Sequence, residues 1–324
     1  MNNPCSLSGQ VVRAFSLCLV LLHSGWSAVA AEPKKPAPDV ENAAYGPHER
    51  NVLDLWKAKS DKPTPLVVFI HGGGFINGDK SQVRGRAVIR QCLDAGVSFA
   101  SINYRFREHA PIQDILRDAA RAIQYIRSRA TDWNIDPARI ACYGGSAGAG
   151  TSLWLAFHDD LADPQSSDPV LRQSTRLAAA GSLNGQVSYD LRDWAAVLGP
   201  SPFQRPESER LQFYNFASAA EAGTAEADKI MKDCSMIGLI SADDPPVAVA
   251  CSMPSGDYQD RGLYVHHPKH SIALADRCKQ SGVECLLILS DKEQGDREEQ
   301  ADKVVAFLIE KLRANSRATP AAAK

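Results

Sequence analysis

Apolar runs and amphipathic segments alternate along the chain from Pro65 onward. Continuous apolar runs of strand length occur in PLVVFIHG, VSFASINYRF, RIACYGG, PVAVACSM and ECLLIL, whereas AVIRQCLDAG and DILRDAARAIQYIRSRA repeat apolar residues at helical spacing. Strands that alternate with helices indicate a parallel sheet covered by helices on both faces. We therefore expect an α/β fold with a mostly parallel central sheet.

The alternation weakens between residues 159 and 243. The stretches LADPQSSDPV and LGPSPFQRPESER in this segment are typical of loops. We interpret residues 159–243 as a loop-rich cap insertion that shapes a substrate pocket within a domain spanning residues 45–313. Residues 31–44 are predicted to be a linker and residues 314–324 a disordered tail.

The first 30 residues have the pattern of a signal peptide. Arg13 precedes the apolar run AFSLCLVLL, and Ala28 and Ala30 supply small residues for cleavage before Ala31. The apolar run is too short to span a bilayer comfortably, and no later segment reaches about 18 apolar residues. These features predict a periplasmic or secreted protein without a membrane anchor.

Charge and cysteine content narrow the choice of partners. A formal charge of −2 over 324 residues supplies no basic field for nucleic acid or for an anionic membrane surface. Six cysteines follow residue 31, and Cys278 and Cys285 flank a short helix-to-strand turn at a separation compatible with a disulfide. No CxxC pair occurs, which argues against a structural zinc site.

The segment IACYGGSAGAG contains a G-x-S-x-G motif centred on Ser146. The motif follows a buried strand directly and precedes a helical segment, which is the setting of a nucleophilic serine on a tight strand-to-helix turn. Gly144 and Gly148 leave room for that turn, and the N-terminus of the following helix favours a developing negative charge. A glycine-rich structural turn is the alternative, and the strand and helix on either side favour the nucleophile.

A second glycine-rich segment follows an earlier strand in VVFIHGGGFINGDK. Successive glycines allow backbone N–H groups to point into a cavity, where they can stabilise the oxyanion formed when a serine attacks an ester carbonyl. The segment matches neither G-x-G-x-x-G nor a P-loop, which argues against phosphate binding. We expect His71 to brace this loop by hydrogen bonding rather than to act as a base.

The chain resembles α/β-hydrolase esterases of the hormone-sensitive-lipase-like and acetyl- and feruloyl-esterase groups. The resemblance is carried by five segments that occur in the same order as in that family: HGGGF, NYRF, DAARAIQYIR, DPARIACYGGSAGAG and DDPPV. The resemblance spans roughly residues 45–312. It implies an α/β-hydrolase fold and carboxylic ester hydrolysis without a metal or organic cofactor. By the same resemblance, Ser146 matches the nucleophile, and the backbone N–H groups of Gly73, Gly74 and Ala147 match the oxyanion donors.

The family pattern also places an aspartate after the penultimate strand and a histidine after the last. Asp257 is the best match for the acid because it closely follows the strand end ACSM, and Asp260 is the second choice. After the last strand, LSDKEQGD offers Glu293 or Gln294 where the family has its histidine. The base is therefore missing from its usual place.

The segment VHHPKH supplies the histidine cluster nearest the expected ligand-binding edge of the sheet. Pro268 suits the first position of a helix, which leaves His266 in the preceding loop, with His267 at the cap and His270 in the first turn. We predict His266 as the displaced base, in a triad with Ser146 and Asp257.

Two classes of function follow from these observations. The first is an exported serine ester hydrolase that acts on small esters or on acetyl or feruloyl groups of a polysaccharide. The second is a catalytically impaired binding protein that keeps the cleft and has lost turnover because the usual histidine is absent.

Overall fold

The computed structural model of the protein describes residues 36–83, 87–290 and 297–314. These residues form one eight-stranded sheet with helices on both sides. The strands are β1 (Val40–Ala44), β2 (Val52–Trp56), β3 (Thr64–Ile70), β4 (Ser98–Ile102), β5 (Ile135–Gly145), β6 (Ala179–Leu183), β7 (Val247–Cys251) and β8 (Cys285–Leu289).

The strand order across the sheet is β1-β2-β4-β3-β5-β6-β7-β8. The first two strands pair antiparallel, and every pairing from β4 to β8 is parallel. All seven residues of β3 and all five of β4 and β7 are buried, as expected for parallel strands covered on both faces. The prediction of a mostly parallel α/β sheet is confirmed.

The helices connect these strands and pack on the two faces of the sheet. They are α1 (Ala87–Asp94), α2 (Ile112–Ser128), α3 (Ala130–Trp133), α4 (Ala147–Phe157), α5 (Asp193–Leu198), α6 (Glu207–Tyr214), α7 (Ala219–Ala222), α8 (Ala225–Asp233), α9 (Met236–Leu239), α10 (Arg261–His266), α11 (Pro268–Ser281) and α12 (Arg297–Ala314), with a 3₁₀ turn at Lys80–Val83. Helices α1 and α12 pack together on one face, and α2, α4 and α11 belong to the other core. None of the helices in these ranges is long and apolar enough to cross a membrane.

Two sheet strands lie in segments predicted to be irregular. Residues 40–44 form β1 rather than linker; this edge strand is only partly buried, so its sequence VENAA has no apolar pattern. Strand β6 lies inside the predicted cap of residues 159–243 and divides it. Its sequence AAGSL is poor in β-branched and aromatic residues, because helix α12 packs closely there: a Cβ on Gly181 would lie 2.5 Å from Val304 Cγ1.

The predicted disulfide is absent among the described residues, and several other predictions concern residues outside them. Cys278 and Cys285 are free thiols in the structure. Several predictions concern residues outside the described ranges: the predicted signal peptide of residues 1–30, residues 315–324 of the predicted tail, and both Glu293 and Gln294.

Candidate active site

Ser146 occupies the turn between β5 and α4. Its backbone has φ 52° and ψ −115°, a conformation that L-residues rarely adopt. The turn requires small neighbours because α4 approaches the adjacent strand closely: a Cβ on Gly148 would lie 2.0 Å from the carbonyl oxygen of Ile70. The sequence SAGAG after the strand is therefore the local cause of the strained serine.

The glycine loop after β3 lies beside this turn. Strands β3 and β5 are neighbours, and their pairing places Ile70 opposite Gly144 at the ends that lead into the two loops. Gly73 and Gly74 both have positive φ, 111° and 62°, and a Cβ on Gly73 would lie 2.1 Å from the carbonyl oxygen of Asn77. Only glycine therefore fits the first of these positions without rearrangement.

Three backbone N–H groups at these loops are available to a ligand. Within the described ranges, those of Gly73, Gly74 and Ala147 donate no hydrogen bond. Ala147 is the first residue of α4, where an N–H has no partner within the helix. Gly74 and Ala147 line the same cavity as Ser146, whereas Gly73 is not among the residues that line it.

His71 braces the glycine loop. Its Nδ1 lies 2.7 Å from the carbonyl oxygen of Gly72, and its ring stacks on Tyr104 with 4.2 Å between the ring centroids. Burial lowers the pKa of His71 to about 4, so the ring is neutral at neutral pH. Nδ1 then donates to Gly72, and Nε2 can accept from Arg50 Nη2 at 3.4 Å.

The structure brings His266 to the serine. Its Nε2 lies 2.8 Å from Ser146 Oγ, and its Nδ1 lies 2.9 Å from the carbonyl oxygen of Gly262. Because a carbonyl oxygen can only accept, Nδ1 carries a hydrogen, and in the neutral ring Nε2 then has the lone pair that accepts a hydrogen bond from the serine hydroxyl.

His266 reaches this position from a helix rather than from the predicted loop. It is the last residue of α10, whose N-cap is Asp260, with its carboxylate accepting from the Leu263 N–H at 2.8 Å. The capping aspartate three residues before a leucine is the signal for this short helix that sequence reasoning missed. Asp260, the second choice for the acid, has a capping role here.

The structure does not bring Asp257 to the ring of His266. Its side chain is exposed, and no hydrogen bond between the two side chains is present among the described residues. Asp257 lies in the extended segment between β7 and α10, ahead of the Asp260 cap, whereas the histidine lies at the far end of α10. The carbonyl of Gly262, a group with no sequence signature, contacts Nδ1 of this ring.

The other two histidines of the cluster have structural contacts. His267 caps α11, as predicted, because its Nδ1 accepts from the Lys269 N–H at 3.2 Å. His270 is fully buried, and its Nδ1 accepts from the Val187 N–H at 3.2 Å. Neither has a contact with Ser146.

A small cavity of about 40 Å³ opens beside Ser146. Residues of the predicted cap segment and of α10 supply most of its wall. The complete lining, apart from Ser146, is Gly74, Phe75, Ala147, Gln186, Tyr189, Leu191, Trp194, Arg205, Phe213 and Val265. The aromatic wall and the arginine have no motif, so the sequence did not identify them. Across residues 36–83, 87–290 and 297–314, no group of three or more His, Cys, Asp or Glu side chains could hold a metal ion.

The chain is similar in sequence and in structure to known proteins. The family model BD-FAE matches residues 53–253, which is more than half of the chain. The chain belongs to the BD-FAE family. The matched segment of this BD-FAE chain includes the glycine loop and the Ser146 turn and ends before α10.

Curated relatives of this BD-FAE chain carry esterase names. A probable isoprenylcysteine α-carbonyl methylesterase of Arabidopsis thaliana is 31% identical over 142 residues, 44% of this chain and 29% of that protein. Esterase LipC of Mycobacterium tuberculosis is 26% identical over 210 residues, 63% of this chain and 48% of that protein. The chain therefore aligns with less than half the length of either relative.

Solved structures share the fold of this BD-FAE chain. A truncated carbohydrate esterase from gut microbiota superposes with a TM-score of 0.67 and 20% identity, covering 86% of this chain and all of that one. Thermogutta terrifontis esterase 2 superposes with a TM-score of 0.60 and 21% identity, covering 89% and 98%. The comparisons confirm the resemblance to α/β-hydrolase esterases and the α/β-hydrolase fold.

Proposed function

We propose that the protein is a serine carboxylic-ester hydrolase with Ser146 as nucleophile and His266 as base. The observation that carries the proposal is the 2.8 Å contact between Ser146 Oγ and His266 Nε2 beside a cavity. A serine hydroxyl is a weak nucleophile unless a base lies within hydrogen-bond reach, and this distance meets that requirement.

The reaction proceeds in two steps. Nε2 takes the Ser146 proton as Oγ attacks the ester carbonyl, and the backbone N–H groups of Gly73, Gly74 and Ala147 stabilise the oxyanion. The C–O bond to the alcohol breaks as Nε2–H protonates the leaving oxygen, leaving an acyl-serine. A water molecule, deprotonated by the same nitrogen, then releases the acid and restores the serine.

The Gly262 carbonyl holds the His266 ring in the productive tautomer throughout this cycle. Nδ1–H remains donated to this oxygen whether Nε2 is protonated or not. The ring also lies at the C-terminal end of α10, where backbone carbonyls favour the imidazolium that forms during attack. We therefore assign the role of orienting the His266 ring to the Gly262 carbonyl. Loss of turnover on substitution of Asp257 would assign that role to Asp257 instead.

We infer that the substrates are small acyl esters, with acetyl groups favoured over feruloyl groups. The support is the size of the cavity beside Ser146, about 40 Å³, which suits a group of a few heavy atoms. The names of similar proteins include a methylesterase and a carbohydrate esterase, and neither name states the size of the acyl group, so this inference depends on the cavity.

Kinetics of 4-nitrophenyl acetate hydrolysis test this proposal. We expect Ser146→Ala and His266→Ala each to lower kcat by about 10³-fold or more, and the double variant to be no worse than either, because members of one catalytic unit do not contribute additively. His109→Ala is the matched control, since it removes a histidine from a surface loop. Activity near the parent value in His266→Ala would exclude this base.

The orienting group is tested in the same assay. We expect Asp257→Ala to retain activity within a few-fold of the parent, because its exposed carboxylate has no hydrogen bond to the ring in the described structure. A loss as large as that of His266→Ala would restore Asp257 to the triad. Absence of hydrolysis by the parent would favour the impaired binding protein instead.

We also propose that the protein is exported after cleavage before Ala31. The support is the short apolar run after Arg13 and the small residues Ala28 and Ala30. N-terminal sequencing of protein recovered outside the cytoplasm should begin at or next to Ala31. Material that retains Met1 would contradict export by this route.

A further inference from the structure

Two arginines contact one glutamate beside the active-site cavity, and a third arginine lies nearby. Arg205 lines the cavity together with Ser146, and its side chain is 20% exposed. Its Nη1 lies 3.2 Å from Glu209 Oε2. Arg261 contacts both oxygens of the same carboxylate, with Nη1 3.0 Å from Oε1 and Nη2 against Oε2. Both carboxylate oxygens of Glu209 are therefore paired with the guanidinium of Arg261.

The third arginine, Arg107, lies near the same aromatic ring as Arg205. The guanidinium carbon of Arg107 lies 5.4 Å from the centroid of the Phe213 ring, and that of Arg205 lies 5.7 Å from it. Phe213 itself lines the cavity beside Ser146. Two guanidinium groups thus lie near one wall residue of the cavity, and the three arginines carry three positive charges against the one negative charge of Glu209.

Two of these guanidinium groups keep a buried donor without an acceptor. The Nε atoms of Arg107 and Arg205 are both shielded from solvent and have no hydrogen-bond partner in the described part of the chain. Burial lowers the pKa of Arg205, and the charges of Arg261 and Arg107 lower it further, although an arginine remains protonated at neutral pH. Because these Nε atoms are closed to solvent, an anion in the cavity would contact the exposed part of Arg205, where it would offset the repulsion among the three charges.

We propose that Arg205, assisted by Arg107, binds a carboxylate of the substrate, so that the preferred esters are anionic. The planar fork of an arginine matches a carboxylate in geometry, and such charge-assisted bonds are stronger than neutral ones. The carboxylate can belong to the acyl part or to the alcohol part, since both lie near Ser146 in an acyl-transfer reaction. This inference rests on the proposed function.

Matched pairs of esters distinguish the two positions. For the acyl side, 4-nitrophenyl hydrogen glutarate is compared with 4-nitrophenyl methyl glutarate. For the alcohol side, 4-acetoxyphenylacetate is compared with its methyl ester, whose methylene spacer keeps the two leaving groups similar. Rates with Ser146→Ala are subtracted as background. We expect kcat/KM for the anion to exceed that for the neutral partner by about tenfold or more in one pair, the factor typical of one charge-assisted hydrogen bond.

Variants then assign the preference to the arginine. Arg205→Met should reduce the anion-to-neutral ratio to near one, and Arg205→Lys should keep part of it. Arg129→Met is the control because it removes an equal charge far along the strand from the site. Arg129 follows α2 and precedes α3 and the start of β5, whereas Ser146 follows the end of β5. This control should leave the ratio unchanged. Thermal unfolding verifies that each variant is folded, and if Arg205→Met does not fold, Arg107→Met must lower the ratio several-fold.

The outcomes separate this inference from the function on which it rests. Equal kcat/KM values within both pairs for the parent protein would overturn the carboxylate site and leave the esterase intact. A ratio that survives in Arg205→Met would also overturn it. Failure to hydrolyse any of the four esters would instead contradict the proposed function, and the carboxylate site with it.

Discussion

Replacement of His270 by glutamine should make the protein less sensitive to acid. His270 is fully buried, accepts a hydrogen bond from the Val187 N–H, and has its Nε2 3.3 Å from the carbonyl oxygen of Tyr264. Burial lowers the pKa of His270 to about 3, with further lowering by His266 and His267. The folded protein therefore holds this ring neutral at pH values where the unfolded chain binds a proton.

The sign of the effect follows from that difference. Because the folded pKa lies below the unfolded value of 6.5, the unfolded state gains protons first as the pH falls. Stability is then lost from about pH 6.5 downward, and the loss continues until the folded ring protonates near pH 3. At pH 5 the free energy of unfolding is lowered by about 2 kcal/mol. This figure requires only that the folded pKa lies well below 5 and hardly changes with its exact value.

Urea unfolding at pH 7 and pH 5 measures this contribution. His270→Gln lowers stability at both pH values through lost packing, so the informative quantity is the change between them. We expect the parent to lose about 2 kcal/mol more than His270→Gln over this interval. His109→Gln is the control and should show the parent's loss. If His270→Gln loses as much free energy of unfolding as the parent does, the buried ring is not the cause.

Three further changes test other parts of the structure. Gly148→Ala should destabilise the protein by about 3 kcal/mol in urea unfolding, because its Cβ would meet the Ile70 carbonyl at 2.0 Å; an unchanged midpoint would contradict that close approach. Asp260→Ala should cost about 1 kcal/mol and lower kcat, since it uncaps the helix that carries the proposed base, while Asp260→Asn should retain both. Lys80→Met should cost about 2 kcal/mol in urea unfolding by removing the charged hydrogen bond from its ammonium to the buried Asp54 carboxylate at 2.8 Å, and an unchanged midpoint would contradict this contribution.

The sheet was predictable where its strands are covered on both faces. Strands β3, β4 and β7 are wholly buried, so their sequences are continuous apolar runs that periodicity identifies. Strand β1 lacks such a run because it lies at the edge, and β6 lacks it because small side chains make room for α12. In both cases a tertiary requirement replaced the local pattern.

The candidate site divides along similar lines. Ser146 and the glycine loop were predictable because strained or crowded backbone demands particular small residues, and such demands are visible in the sequence. His266 was predictable by its place in the chain, but its helix was not, because a six-residue helix has too few positions for periodicity. A backbone carbonyl such as that of Gly262 can be supplied by any residue, so no sequence pattern marks it.

Helix α12 has a consequence for how the chain folds during synthesis. Its buried residues Val304, Val305, Leu308 and Leu312 complete the core on one face of the sheet, against side chains that include Trp56 and Val67 from early strands. Until this helix leaves the ribosome, α1 covers only part of that face and the core there stays incomplete. The apolar side chains of this face therefore remain accessible to chaperones until α12 has been synthesised.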